Sequence, residues 1–592
     1  MKQFLRQHGW VYLPGLLFLA MSSWLQVLSP RILGELIDDL NVPAETIDLQ
    51  AVTGQLLNLM LIAALAFFTR FIWRSFIMGN SRHLENELRR QLFQKLQSLP
   101  VQYYQHQKTG NLMVYAINDI GAIRQTLGPG LALSANAIVM GILSVGSMSG
   151  QINPRLTLFA LLPVPVIIVM IVWMGRRVQQ RFRMVQEAFA AVSDRVQESI
   201  SGIQVIKAYG QEYEEVERFE QLNRRSRHAT IHMTKVSAAM SPLVSLLFGI
   251  SFSISLIYGS RLVLDGSLTL GEFIAFNGYL ALIVDPVQSI ARIINLLQKG
   301  VASYKRYQTI MSASQIIEDA PGIKPAAEWP LYLPGTLCIR SLTFTYPEQH
   351  QPALTEISLE LPPGRLIGIL GRTGSGKSTL AALLQRQYEI GPGMVTLNGQ
   401  DILDIPLTVL RRQFAHSPQD NFIFSTTIAE NISFFDNRFS REDIRQAAVF
   451  ADLDETIMSF PDGYDTMVGE RGVTLSGGQK QRVGLARALV RQAPFLILDD
   501  ALSAVDTETE HRILQQLRNL LHKKPTACLV IANRISALQH CDEILVLVDG
   551  KVSERGSHDD LMAVNGFYAE VARRQSGREQ VREPSGKEDG ND

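Results

Sequence analysis

Gly371-Arg372-Thr373-Gly374-Ser375-Gly376-Lys377-Ser378, preceded by the apolar run Leu366 to Leu370, reads as a strand, a glycine-rich turn and the start of a helix. It fits the spacing G-x-x-x-x-G-K-[ST]. The glycines let successive backbone N–H groups close around phosphate oxygens, and the helix that follows directs its positive end at them. In this pattern Lys377 neutralises the β- and γ-phosphates and the Ser378 hydroxyl is a ligand for Mg²⁺. A second apolar run, Phe495-Leu496-Ile497-Leu498, ends in Asp499-Asp500. Asp499 is placed to hold Mg²⁺ through water. Strands alternating with helices through this part of the chain predict a parallel-sheet α/β core.

The N-terminal half has a different character. Among the 592 residues, charge is absent from Trp10 to Pro30, Ala51 to Thr69, Gln125 to Pro154, Leu156 to Gly175 and Val236 to Ser260. About 20 apolar residues cross a bilayer, so five spanning helices follow. Gly150-Gln151-Ile152-Asn153-Pro154 reads as the turn that ends the third. A sixth span requires Phe273 to Val284 to continue through Asp285 and Pro286 toward Ala291. Lys2 and Arg6 precede the first apolar run, but that run is too long for a secretory signal core and lacks a small-x-small cleavage site. A retained helix is expected.

Charge sets the orientation. Between the first two spans Arg31 stands against Glu35, Asp38, Asp39, Glu45 and Asp48. The segments after the second and fourth spans are basic, with Arg70, Arg74, Arg82, Arg89, Arg90, Lys95, Lys108 and Arg124 in one and a series from Arg176 to Lys235 in the other. Basic segments belong in the cytoplasm, which puts both termini there. Leu84, Leu88, Leu92, Leu96 and Leu99 recur at helical spacing, so the second span is expected to continue as an amphipathic rod. The stretch from Phe189 to Phe219 has similar character. The tips of the two rods are expected near Gly110-Asn111-Leu112-Met113 and Ala208-Tyr209-Gly210-Gln211-Glu212. The 56 basic and 56 acidic residues balance, so no global field draws the chain to nucleic acid. Cys338, Cys528 and Cys541 form no C-x-x-C pair and read as buried cytosolic thiols.

Leu475-Ser476-Gly477-Gly478-Gln479 is the most discriminating stretch, and with the glycine-rich loop it resembles the signature of an ABC transporter ATPase domain. The resemblance extends to exporter-type half-transporters, through the rod tips and through Val468-Gly469-Glu470-Arg471-Gly472. It implies a six-helix membrane domain of the exporter fold fused to an α/β P-loop ABC ATPase. The boundaries are then 1–310 for the membrane domain, 311–335 for a proline-rich linker, 336–574 for the ATPase domain and 575–592 for a polar, disordered tail. The implied ATP-binding set is Tyr346, whose ring would stack on adenine, with Gly371, Arg372, Thr373, Gly374, Ser375, Gly376, Lys377, Ser378 and Thr379. Gln419 would meet Mg²⁺ or the attacking water, and Ser378 and Asp499 complete the metal set. Leu475, Ser476, Gly477, Gly478 and Gln479 would act in trans on ATP held by a second subunit. Asp506, in Ser503-Ala504-Val505-Asp506, would lie on the loop that crosses the dimer interface.

At two positions the sequence departs from the family. The general base, usually Glu, is Asp500, and the usual His of an "A-H-R" triplet is Asn533 in Ala532-Asn533-Arg534. Asp is one methylene shorter than Glu, and ångström-scale misplacement of a base costs orders of magnitude in rate. Asn is shorter than His and cannot become cationic. Two changes in one half-site imply weak hydrolysis there, with an intact signature serving a partner. That pattern resembles a subunit of a bacterial heterodimeric multidrug exporter: multi-pass in the plasma (inner) membrane, with lipid and small amphipathic compounds as its other partners. Two alternatives stand beside it, a homodimeric slow exporter or lipid flippase and a nucleotide-gated regulator that transports nothing. Asp285, within the sixth span, is the one sequence clue to substrate, as a cavity carboxylate that favours cationic amphiphiles. Its rival role is a surface position or a pair with Arg292.

Overall fold

The computed structural model describes residues 9–41, 48–105, 107, 109–313, 317–347, 349–469 and 475–580. The chain forms two compact units, one comprising Met1–Leu99 and Tyr104–Ala313, the other principally Ser314–Asp592.

In the first unit, among the described residues, six helices are long and apolar enough to cross a membrane: Gly9–Leu40, Leu49–Ser98, Leu112–Ile152, Pro154–Ser201, Glu212–Leu264 and Leu270–Met311. Their outward faces carry Leu17, Phe67, Phe68, Ile142 and Val169, all exposed, as lipid-facing side chains should be. The third span is an α-helix interrupted by π-helical turns at Tyr115–Asp119 and Thr126–Gly130 and closed by a third at Met148–Ile152. Asn153 then breaks it. Its extended backbone and side-chain oxygen cap the next helix, with Pro154 in the first turn. The sixth helix runs unbroken from Leu270 to Met311 with Pro286 inside it, so the weak apolar stretch is part of a helix long and apolar enough to span.

Close contacts bind the spans to one another. A Cβ on Gly271 would lie 2.0 Å from the Gly34 carbonyl oxygen, so the first and sixth helices touch backbone to backbone. The Asp38 carboxylate fastens the same junction. It accepts from the Gly271 N–H at 2.7 Å and from the Thr269 hydroxyl at 2.6 Å. Further along the sixth helix, buried Asp119 accepts from Ser303 Oγ at 2.8 Å and from the Arg306 guanidinium at 2.9 and 2.5 Å.

The expected rod is present. Leu84, Leu88 and Leu92 are buried against Ile120, Ile123, Tyr307 and Ile310. Its tip differs from expectation. The short helix at the turn is Val101–Gln105, and the Gly110 to Met113 stretch already lies in the returning helix Thr109–Val114. The reason is Pro100. It forces Leu99 into an extended conformation (φ −77°, ψ 146°) and ends the rod there. The second rod pairs Pro163–Ser201 with Glu212–Leu264. Near its tip Glu215 accepts from Ser199 Oγ at 2.5 Å and pairs with Arg195. The tip itself is the helix Ile203–Tyr209, closed by Gly210 in the left-handed conformation (φ +62°), so Ala208 to Glu212 is the end of that helix and its exit turn.

The second unit contains two sheets. β1 (Leu337–Phe344), β2 (Leu354–Leu361), β4 (Val395–Leu397) and β5 (Gln400–Asp401) form an antiparallel sheet in the order β2-β1-β4-β5. β3 (Leu366–Gly371), β6 (Phe414–Ser417), β7 (Phe495–Asp499), β8 (Ala527–Ile531), β9 (Glu543–Val548) and β10 (Lys551–Gly556) form the other, in the order β10-β9-β3-β8-β7-β6. Its strands are parallel from β9 to β6. Successive residues serve opposite faces. Leu366, Leu370, Leu496, Leu498 and Val530 join one core, while Ile367, Ile369, Ile497, Leu529 and Ile531 join the other. Burial on both faces explains the unbroken apolar runs.

Two sequence-based boundaries shift. The linker's second half is packed rather than free: Trp329 and Leu333 rest on the core, and the Leu333 N–H donates to buried Gln413 at 2.7 Å. The final helix among the described residues, Phe567–Gln580, continues past the start assigned to a disordered tail, with Gln575 held by two hydrogen bonds. Residues 581–592 of that tail lie outside the described residues. Cys528 and Cys541 are buried free thiols and Cys338 is half-buried.

Candidate nucleotide site

Parallel register brings the ends of β3, β7 and β8 together: Leu498 pairs with Val530, Asp499 with Ile531, and β3 with β8 from Leu366 to Ile369. The loop after β3 therefore opens beside the carboxylates that end β7. Within it, Gly374 and Gly376 have φ of +87° and +97°, conformations L side chains rarely adopt. A Cβ on Gly376 would also lie 2.5 Å from Leu354 Cδ2 and 2.6 Å from the Ala353 carbonyl oxygen. Lys377 opens the helix Lys377–Leu384, and its ammonium donates to the carbonyls of Gly371 at 2.7 Å and Arg372 at 3.1 Å. Burial lowers the Lys377 pKa, and the charges of Asp500 and Asp499 oppose that shift. The Arg372 guanidinium lies 5.2 Å from the centre of the Phe567 ring. Thr373 is exposed in the same loop.

Burial raises the Asp499 pKa. A hydrogen bond from Ser378 and the Lys377 charge act the other way, while Asp500 adds to the rise. The Asp499 carboxylate and the Ser378 hydroxyl bonded to it are hard oxygen donors of the kind Mg²⁺ takes. The Ser375 hydroxyl is buried in the loop without a protein partner. Buried polar atoms ordinarily have a partner, and an oxygen-rich phosphate would supply it. The residues present therefore fit a magnesium nucleotide.

Asp500 leaves the strand with φ +50°, its N–H donating to the Ile531 carbonyl at 2.8 Å. Asn533 Nδ2 donates to Asp500 Oδ2 at 2.7 Å, so the two positions that the sequence singles out are bonded to each other. Tyr346 is half-buried. Its hydroxyl bonds to Thr379 Oγ1 at 2.8 Å and its ring packs edge-on against Phe344 and Tyr388. Gln419 lies two residues past β6 and is exposed.

Leu475 is buried, and Ser476 caps the helix Gly477–Val490 through a reciprocal box with Gln479. Ser476 Oγ accepts from the Gln479 N–H at 3.2 Å, and Gln479 Oε1 accepts from the Ser476 N–H at 2.9 Å. Gly477 opens that helix. A Cβ on Gly478 would lie 2.8 Å from the Ala504 carbonyl oxygen. Asp506 caps the helix Thr507–Lys523, accepting from the Thr509 N–H at 2.9 Å. Val468 and Gly469 are described, whereas Glu470, Arg471 and Gly472 of the same motif lie outside the described residues.

Sequence reading missed three residues here. Gln481 joins the signature helix to the loop after Asp500, donating to Ser503 Oγ at 2.9 Å and accepting from the Ala504 N–H at 2.8 Å. Glu510, 1% exposed, anchors Arg534 and Ser536 beside Asn533. Gln575 donates to the Asn533 carbonyl at 2.9 Å. Nothing in the spacing marks them, because each acts across a long sequence separation.

Comparison with known proteins agrees with this architecture. Residues 12–287 match the family model described as "ABC transporter transmembrane region", and residues 354–503 match "ABC transporter". The chain is 36% identical over 573 residues to the "Multidrug resistance-like ATP-binding protein MdlA" of Escherichia coli (strain K12), covering 95% of this chain and 94% of that one. It is 35% identical over 581 residues to the "Probable multidrug resistance ABC transporter ATP-binding/permease protein YheI" of Bacillus subtilis (strain 168), covering 96% and 97%. In fold it is similar to a bacterial Atm1-family ABC exporter solved with ATP bound, with a TM-score of 0.78, 24% identity, and coverage of 98% and 99%. With near-complete coverage at this identity, the chain belongs to the ABC transporter family, as an exporter-type transmembrane region fused to an ABC ATPase domain.

Proposed function

We propose that this ATP-driven exporter subunit works in a heterodimer, moves hydrophobic or amphipathic compounds out of the cytoplasm, and holds the weaker of two ATP sites. The observation that carries the reading is the Asp500–Asn533 hydrogen bond in a site whose P-loop is otherwise complete. A catalytic base must aim a free lone pair at water lined up on the γ-phosphorus. Here the shorter carboxylate is turned toward an amide instead. Lys377 and the backbone N–H groups of the loop would hold the phosphates, with Tyr346 at the adenine end. Ser378 and Asp499, with Gln419, would hold Mg²⁺, which when bound neutralises charge on the phosphate oxygens. Leu475 to Gln479 would complete the partner's site, where most hydrolysis occurs.

ATP drives the transport cycle only as far as it binds the closed state better than the open one. The rod tips would carry that change into the membrane. The basic charge of the two rods supports a reading in which both termini lie on the cytoplasmic side of the bacterial plasma membrane. The test compares two substitutions in the purified pair. Replacing the partner's catalytic Glu with Gln should remove nearly all ATP turnover, whereas Asp500→Asn should leave most of it. Equal losses would reject the asymmetric reading, and full drug-stimulated turnover by this chain alone would establish a homodimer.

A further inference from the structure

We infer that Gln575, Asn533 and Asp500 form one hydrogen-bonded relay that fixes where the Asp500 carboxylate points, so that the helix Phe567–Gln580 is a working part of the nucleotide site. The inference rests on the weak-site reading above and deepens it. The two departures from the family are then a single device.

The backbone at Asp500 has little freedom. Its N–H is bonded to the Ile531 carbonyl at 2.8 Å, and its carbonyl accepts from the Ser503 N–H at 3.2 Å and from Gln481 Nε2 at 3.4 Å. Only the side chain can reorient, and Asn533 Nδ2 holds Oδ2 at 2.7 Å. Asn533 is pinned in turn. The Gln575 amide is satisfied at both ends by the segment that carries it: Nε2 donates to the Asn533 carbonyl at 2.9 Å, and Oε1 accepts from the Ile535 N–H at 2.8 Å. On the other side Arg534 donates to Val505 O at 3.3 Å and to Glu510 at 3.2 Å, and Ser536 donates to Glu510 at 2.8 Å. The loop is thus clamped between the final helix and Glu510, and the Asn533 amide is delivered to the carboxylate from a fixed base.

Single reversions therefore leave the geometry wrong. Glu at position 500 adds a methylene, yet the Asn533 amide stays in reach and continues to hold the longer arm. His at position 533 releases the carboxylate, but Asp remains too short for the water. Only the double change both frees and extends it. Asn533 and Gln575 are positioning residues on this account, since each acts through Asp500.

The experiment measures MgATP hydrolysis by the full-length protein purified with the subunit that accompanies it. That subunit's catalytic carboxylate is replaced by an amide, so turnover reports on this chain's P-loop. Asp500→Glu and Asn533→His are expected to raise kcat by less than about threefold each, and the double variant by at least about tenfold beyond their product, as directly bonded groups couple. KM for ATP should stay unchanged throughout, which also verifies that the variants fold. Adding Gln575→Ala to the double variant should lower kcat several-fold at constant KM, and Gln575→Glu, which keeps an acceptor for Ile535 N–H but no donor for Asn533, should behave like Ala. If the single effects simply multiply, or if Gln575→Ala moves only KM or yield, the relay is refuted. Failure of the weak-site reading looks different: the unmodified chain would already turn over at the rate of a competent site, whether or not the substitutions couple.

Discussion

His416 shows how a single side chain near the site can set pH dependence. It lies on β6, its Nδ1 3.0 Å from Gln385 Nε2, while Nε2 is buried without a partner. Burial pulls its pKa from 6.5 to about 4. The folded-state value is below the unfolded one, so between them the unfolded chain binds more protons and stability rises with pH. The contribution is intact above pH 6.5 and is lost as pH falls toward 4, by an amount on the order of 3 kcal/mol. His416→Gln should therefore flatten the acid-side loss of thermal stability in the purified protein. Parallel melting curves for both proteins at pH 7 and pH 5 would reject this role. Asp500 and Asn533 teach the complementary lesson: residue identity marks each as unusual, but only their bond makes them one unit.

Among the elements, the sixth helix carries the strongest clue to substrate. Asp285 is exposed while its neighbour Pro286 is buried. Ala281, Gln288, Arg292 and Asn295 are exposed at spacings that place them on the same helical face as Asp285. Among the described residues no ion pair joins Asp285 to Arg292. A carboxylate at membrane depth is costly unless it meets water, a counter-charge or a ligand. Asp285→Asn is therefore expected to weaken export and ATPase stimulation for cationic amphiphiles by severalfold, while neutral compounds and basal ATPase are spared. Measuring both compound classes in proteoliposomes decides it, since a uniform fall for all of them assigns Asp285 to helix shape alone.

For the whole molecule, the proposed division of labour between two ATP sites predicts unequal effects of two substitutions in this one chain. Lys377 serves its own P-loop, whereas Ser476 would face ATP on the partner. Ser476→Ala should lower turnover of the intact pair by about tenfold or more, as loss of a preorganised phosphate contact does, and Lys377→Ala by less. The two rates, measured alongside ATP occupancy, test the assignment. A larger loss from Lys377→Ala with the partner site still filled would reverse it. Ser476 is suited to the task because its hydroxyl and N–H are already ordered by the Gln479 capping box at the start of a helix.

Much of this protein is legible from sequence, for local reasons. Uncharged runs must span lipid, glycines at the P-loop positions must adopt left-handed backbone, and apolar runs before Gly371 and Asp499 must lie in a sheet buried on both faces. Each conclusion depends on neighbours within a few residues. The continuity of the sixth helix is conditional in the sequence, since composition does not say whether Pro286 breaks a helix or is carried through it. At the first rod tip a family pattern points to Gly110 to Met113, whereas Pro100 ends the rod earlier. What tertiary structure alone decided lies at long sequence separation: the Asp500–Asn533 bond, the Gln481 bridge and the return of Gln575 to the Asn533 loop. A polar residue in a polar C-terminal stretch carries no sign of its partner. Its partner is set only when the strands align and the final helix packs back against them.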